Sequence, residues 1–260
     1  MSLRRLLAAA LPLLVLVATP ALAKQTARTT TPLTYDVSYP QCGQALPTNA
    51  TGGIVGVDNG VVLSTNPCFA SEWSWATKGT TYAPAIYANT ANPGPAYSSH
   101  WPTGATSPRA CDGSNSVDCS YDYGWNAAVH SYAAAAAVIA APNAYAWWLD
   151  VETGNSWQTL ESAYGQTASS KANDVAALQG EVDALKSNGV AVIGIYSTSY
   201  QWTQITGGTG ATFAASPAWV AGTGSLSTAQ ANCKTTSFTG GRIQLAQYAA
   251  NGYDADTHCP

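Results

Sequence analysis

The sequence predicts an α/β fold in which short parallel strands alternate with helices. Brief β-branched or aromatic runs recur along the chain, each bounded by Gly, Pro, Asn or Ser. Helical stretches fall between them, and strands separated by helices imply parallel β-α units with right-handed crossovers. The length of 260 residues suits one such domain. A closed barrel is the first expectation, and an open doubly wound sheet is the second.

The N-terminus is read separately from that domain. Arg4 and Arg5 precede a short apolar run over residues 6–17, broken by Pro12, and Ala21-Leu22-Ala23 follows as a cleavage site. Residues 1–23 therefore read as a secretory signal that is removed on export. A membrane anchor would need roughly 20 unbroken apolar residues, and no later run reaches that length. Residues 24–33, polar and Thr-rich, are expected to form a flexible leader. A single domain over 34–260 is expected to follow.

Within it, strands are expected at 34–39 (TYDVSY), 53–57 (GIVGV), 83–88 (APAIYA), 145–151 (YAWWLDV), 190–196 (VAVIGIY), 218–221 (AWVA) and 242–248 (RIQLAQY). Three helices are expected between them. The first covers 68–78, with Asn66 as cap and Pro67 in the first turn. The second covers the Ala-rich stretch 124–140, stopped by Pro142-Asn143. The third covers 170–187, where Val175, Leu178, Val182 and Leu185 form one apolar stripe, Lys186 lies in the last turn and Gly189 ends it.

Six cysteines, Cys42, Cys68, Cys111, Cys119, Cys233 and Cys259, stand behind the expected signal. An even count in an exported chain reads as disulfides. Fifteen pairings exist for six cysteines, and sequential pairing is the simplest. Cys111 and Cys119 flank a short polar stretch expected to close on itself as a loop. Metal ligation is disfavoured, because no C-x-x-C occurs and the three His have no ligand spacing. Ten Lys and Arg stand against fourteen Asp and Glu, and losing Arg4 and Arg5 with the signal moves the charge from −4 to −6. That balance argues against nucleic acid and anionic membranes as partners. Charged residues make up only 9% of the chain, where about a quarter is usual.

The run WWLDVETGNSW at 147–157 carries the sharpest chemical signal. Side chains alternate along a strand, so Trp148, Asp150 and Glu152 share one face. Both acids come at the C-terminal end of the strand, where parallel α/β folds build their sites. Two acids roughly 7 Å apart along a strand, aimed the same way, repel each other, and desolvation raises the pKa of one of them. A proton-donating acid beside an ionised partner is the requirement of glycoside cleavage. Asp36 in the first strand, Asp58 just after the second, and Asp254 and Asp256 near the C-terminus add to the set. Buried acids are costly unless paired or used, and this chain has few cations to pair them. The bland alternative is two solvated acids at a strand end. Nine Trp and fourteen Tyr against three Phe favour rings with a polar handle. Trp101, Trp125, Trp157 and Trp202 lie near expected loops or helix ends, but each is read more readily as packing than as a sugar platform. No G-x-S-x-G, G-x-G-x-x-G after a strand, or phosphate-loop motif occurs, and no cofactor is implied.

The order of several short motifs resembles the family 25 glycoside hydrolases, which are lysozyme-type N-acetylmuramidases. These motifs are YDVSYPQCG at 35–43, LDVETG at 149–154, GIYST at 194–198, AWVAG at 218–222 and LAQYAANGYDAD at 245–256. The cysteine-bearing start looks closer to a secreted actinobacterial branch of glycoside-hydrolase-like proteins. The resemblance implies a modified TIM-like (β/α) barrel with a sugar groove at the C-terminal strand ends. It implies Glu152 as general acid, with Asp150 and Asp36 supporting the reacting sugar. Tyr196, Gln247 and Asp256, or less readily Asp254, would meet the substrate, with Asp58 and Trp148 beside them. Two strands depart from the family pattern: the second ends VDNG, and the third has no His. The expectation is a secreted, monomeric glycosidase acting on bacterial cell wall or a related glycan. Its rival is a non-catalytic glycan-binding barrel at the cell surface.

Overall fold

The structure, a computed structural model, describes residues 33–104, 108–208 and 210–260. The expected signal and residues 24–32 of the leader lie outside these, and Leu33 opens the first strand. The strands are β1 (Leu33–Val37), β2 (Ala50–Gly56), β3 (Ala85–Asn89), β4 (Ala146–Asp150), β5 (Ile193–Ser197), β6 (Ala218–Thr223), β7 (Ile243–Ala250) and β8 (Tyr253–His258). They pair in chain order into a closed barrel. Neighbours from β1 to β7 are parallel, whereas β8 runs antiparallel to both β7 and β1. The barrel is therefore a TIM-like fold with an antiparallel closing strand, and the open sheet is not formed.

Helices α1 (Phe69–Ala76), α2 (Val117–Ala136), α3 (Ala168–Ser187), α4 (Ser199–Thr206) and α5 (Leu226–Asn232) fill the crossovers after β2 to β6. Between β1 and β2 there is only a 3-10 turn, Tyr39–Gln41. Tyr39 was expected in the strand, but Pro40 has no N–H to continue a ladder, and the Ser38 N–H donates to Gln41 Oε1 at 3.0 Å. The stripe on α3 faces the sheet, with Leu178, Val182 and Leu185 buried. Trp147 and Leu149 of β4 join that layer between sheet and helices. Trp148 points the other way, into the barrel, with Ile54, Ala85, Trp219 and Leu245.

Helix α2 begins seven residues before the expected start. Ser116 caps it, its hydroxyl accepting the Cys119 N–H at 3.2 Å, so the end of the Cys111–Cys119 segment, from Val117 on, is helix rather than loop. Gly124 lies inside α2 and sets its contact with α3. A Cβ there would stand 1.9 Å from the Ala177 carbonyl oxygen, and one at Gly180 would stand 2.1 Å from that of Tyr121. The two backbones touch through the glycines.

The disulfides join Cys42 to Cys68, Cys111 to Cys119 and Cys233 to Cys259. The first ties the turn after β1 to the start of α1. The last pins the chain after β8 to the end of α5. No described helix is long and apolar enough to cross a membrane.

Candidate active site

The C-terminal ends of the parallel strands bring acids together from opposite ends of the sequence. Asp36 comes from β1, Asp150 from the last position of β4 and Glu152 from two residues beyond. Asp254 comes from β8, which runs the other way and so delivers its first residues to the same end. These four and Tyr87, Tyr196, Trp219 and Gln247 enclose a pocket of about 160 Å³. No Lys, Arg or His lines it. Among the described residues the salt bridge is Arg109 with Asp118, at the surface.

Polar contacts hold the acids from the side. The Gln247 amide donates to Asp36 Oδ2 at 3.1 Å. Gln247 Oε1 accepts from the Tyr196 hydroxyl at 2.8 Å and from the Gly222 N–H at 3.0 Å. Asp256 sits behind Asp36 and bonds to it, while its Oδ1 accepts the Trp219 indole N–H at 2.7 Å. The Asn89 amide donates to Asp150 Oδ2 at 3.1 Å, and the Asn155 amide donates to the Asp150 carbonyl at 3.1 Å. The Glu152 carboxylate lies beside the Gln201 side chain. Gln201 Oε1 in turn accepts the Thr153 N–H at 2.6 Å, and the Glu152 carbonyl accepts the Trp157 indole N–H at 2.8 Å.

Burial without cations raises every acid here. Desolvation, then the neighbouring Asp254 charge, pushes Asp36 up to about 7. Asp150 is pushed well up by burial and then by Glu152. Glu152 is raised by its own burial, which the Gln201 hydrogen bond opposes. Asp256 is also pushed well up, by burial and by the charge of Asp36. The hydrogen bond between these two favours charge on Asp36 and the proton on Asp256. The set can hold protons near neutral pH and still present carboxylates to a developing positive charge.

Three residues expected at the substrate stand elsewhere. Trp148 is 2% exposed, with its ring against Gly194 and edge-on to Trp219, so it packs below the pocket. Asp58 is buried in the layer between sheet and helices. It accepts the Asn89 N–H at 2.8 Å and the Ser131 hydroxyl at 3.0 Å, and burial pushes it up to about 7. It stands behind Asn89 rather than in the pocket. Asp256 backs Asp36, and Asp254 takes the pocket position. Trp101, Trp157 and Trp202 are buried, and Trp125 packs partly against the core.

Several groups that line the pocket or support its acids were not assigned from the sequence. Tyr87 and Asn89 follow from parity on β3, because they share the inward face with Ala85. Trp219 lies in the quoted AWVAG run without having been given a role. Gln201 comes from α4, a helix that was not expected at all. Among the described residues no group of three or more His, Cys, Asp or Glu is placed to hold a metal ion.

No protein-family model matches the chain, and no curated protein matches it in sequence. Solved structures do match the fold. A muramidase from Acremonium alcalophilum superposes with a TM-score of 0.56 at 16% identity, covering 88% of this chain and 93% of that one. A family GH25 lysozyme from Aspergillus fumigatus gives 0.54 at 15%, covering 88% and 94%. The bacterial lysozyme from Streptomyces coelicolor gives 0.51 at 17%, covering 89% and 94%. The chain has the modified TIM-like barrel of these lysozymes.

Proposed function

We propose that this protein is a secreted, monomeric glycoside hydrolase that cleaves a β-glycosidic bond in peptidoglycan or a related glycan. The observation that carries the reading is the pocket in which Asp36, Asp150, Glu152 and Asp254 converge without a cation, on the barrel shared with muramidases. Glu152 acts as the general acid and protonates the leaving glycosidic oxygen. Its burial keeps a proton on it further up the pH scale than an exposed glutamate would hold one. Asp150 faces it as the second carboxyl group; burial and the Glu152 charge push it well up, and the Asn89 amide is the donor that favours its charged form when the sugar develops positive charge. Asp36, steadied by Gln247, adds negative charge against the oxocarbenium-like centre. Tyr196 and Gln247 offer hydroxyl and amide groups to the sugar. The signal-like N-terminus and the three disulfides support export to an oxidising compartment.

The test is clearance of purified bacterial cell walls with product analysis, comparing wild type and Glu152→Gln. The expected result is clearance with new reducing ends, reduced ~10²–10⁴-fold in the variant. Retention of both proteins on the wall with no cutting would instead support a glycan-binding barrel.

A further inference from the structure

The groove does not end at the carboxylates. Gly60, Asn89, Gly154 and Asn155 border both the space over Asp36, Asp150 and Glu152 and a second pocket of about 210 Å³. Val61, from the loop after β2, forms one wall of the second pocket, and Tyr97, Ser98 and Tyr123 form another. Its lining contains no charged side chain, whereas the first pocket contains four acids.

The walls are held from behind. The Asn92 N–H donates to the Ser156 carbonyl at 2.8 Å, and Asn92 bridges to Trp157, extending the β3–β4 contact past the barrel rim. The Asn92 amide is anchored on Asp174 at 3.0 Å. The Tyr97 hydroxyl is 3.1 Å from Ser162 Oγ, and its ring stands edge-on to Tyr164. The Tyr164 hydroxyl accepts the Ala96 N–H at 2.9 Å. Tyr123 stacks on Trp101 in a cluster closed by Cys111 and Cys119. Behind these anchors, Val61 remains 63% exposed and Tyr97 47% exposed.

A braced pocket with a half-exposed phenol ring, an exposed aliphatic side chain, amide and hydroxyl groups and no charge suits one kind of ligand. That ligand is a ring with an apolar face and a polar, uncharged edge. We propose that this pocket is a subsite for an uncharged sugar ring, linked to the ring at the carboxylates, with Tyr97 as the face on which it stacks. A ring bearing a carboxylate would be desolvated there with no cation to meet it, one pocket away from four acids. The assignment rests on reading the acid pocket as the place where the glycan is cut.

The experiment is calorimetric titration of Glu152→Gln, in which turnover is expected to be slow, with the dimer and the pentamer of β-1,4-linked N-acetylglucosamine. The same titrations are run with Tyr97→Ala and with Tyr97→Phe added. The pentamer is expected to bind about tenfold or more tightly than the dimer. Tyr97→Ala should remove most of that gain, and Tyr97→Phe, which retains the ring, should keep it. A pentamer oxidised to carry 6-carboxyl groups should bind about tenfold or more weakly. Equal affinity for dimer and pentamer, no binding of either, or a gain untouched by Tyr97→Ala overturns the subsite. If wild type still clears walls in that case, the hydrolase reading stands without it. A Tyr97-dependent gain in a protein that cuts nothing leaves the subsite and removes the hydrolase.

Discussion

Asp36 and Asp254 set the pH behaviour of the pocket between them. Because the Asp254 charge helps to lift Asp36 to about 7, Asp254→Asn should let Asp36 ionise earlier. The acid limb of the kcat/KM profile, expected near pH 7 in wild type because Asp36 must be ionised, should then move to lower pH. A limb that does not move would remove Asp36 as the group reporting there. Gln247→Leu should shift the same limb upward, since it removes the amide that donates to the ionised carboxylate. Asp36, Asp150 and Glu152 were legible because strand parity states which face a side chain takes. Parity does not state depth. It puts Trp148 on the inward face with Asp150, but cannot tell that its indole lies below the pocket floor against Gly194. Asp58 was misplaced for a related reason: just past a strand end, alternation no longer constrains direction.

At the level of elements, the tight pair is α2 against α3. Gly124→Ala or Gly180→Ala places a methyl against a backbone carbonyl that cannot yield as a side chain could. The expected cost is about 1–3 kcal/mol or more, read as a lower denaturation midpoint with an unchanged slope. A midpoint within error of wild type would show that the helices can slide apart freely. The strong apolar stripe of α3 made it readable from sequence, whereas α4 and α5 were missed. Both are short and rich in Ser, Thr and Gln, so periodicity is weak. Their caps were present in the sequence: Thr198 and Ser225 accept the N–H groups of Gln201 and Thr228. The hairpin to β8 also left a trace. Asn251-Gly252, with φ of 57° and 81°, is the two-residue turn that joins antiparallel strands. It was passed over because YDADTH has three polar or charged residues facing inward where a strand face is usually apolar.

For the whole molecule, buried acids outweigh the one strongly shifted base. Asp36, Asp58 and Asp174 are each raised from 3.8 to about 7 on folding. Below about 4 both states carry the proton and the stability from these groups is complete. It is lost as pH rises towards 7, because the unfolded chain ionises first. His258 is lowered from 6.5 to about 4 and acts in the opposite direction between those values. With three acids against one His, thermal stability is expected to be greater near pH 5 than near pH 8. Scanning the unfolding temperature across that range checks this, and a flat or rising profile would contradict it. Loss of the Cys233–Cys259 bond, by a double Ser substitution, should cost about 2–4 kcal/mol. β8 hydrogen-bonds to β1 across the full described length of the chain, with Asp254 opposite Asp36. Barrel closure therefore depends on β8, the last of the eight strands to be synthesised. Until that segment is available, β1 has only β2 beside it, and Asp36 has neither Asp254 nor Asp256 nor Gln247. Such sequence-distant pairing slows folding. A growing chain would stay open, with its acid pocket unassembled, until β8 had been synthesised.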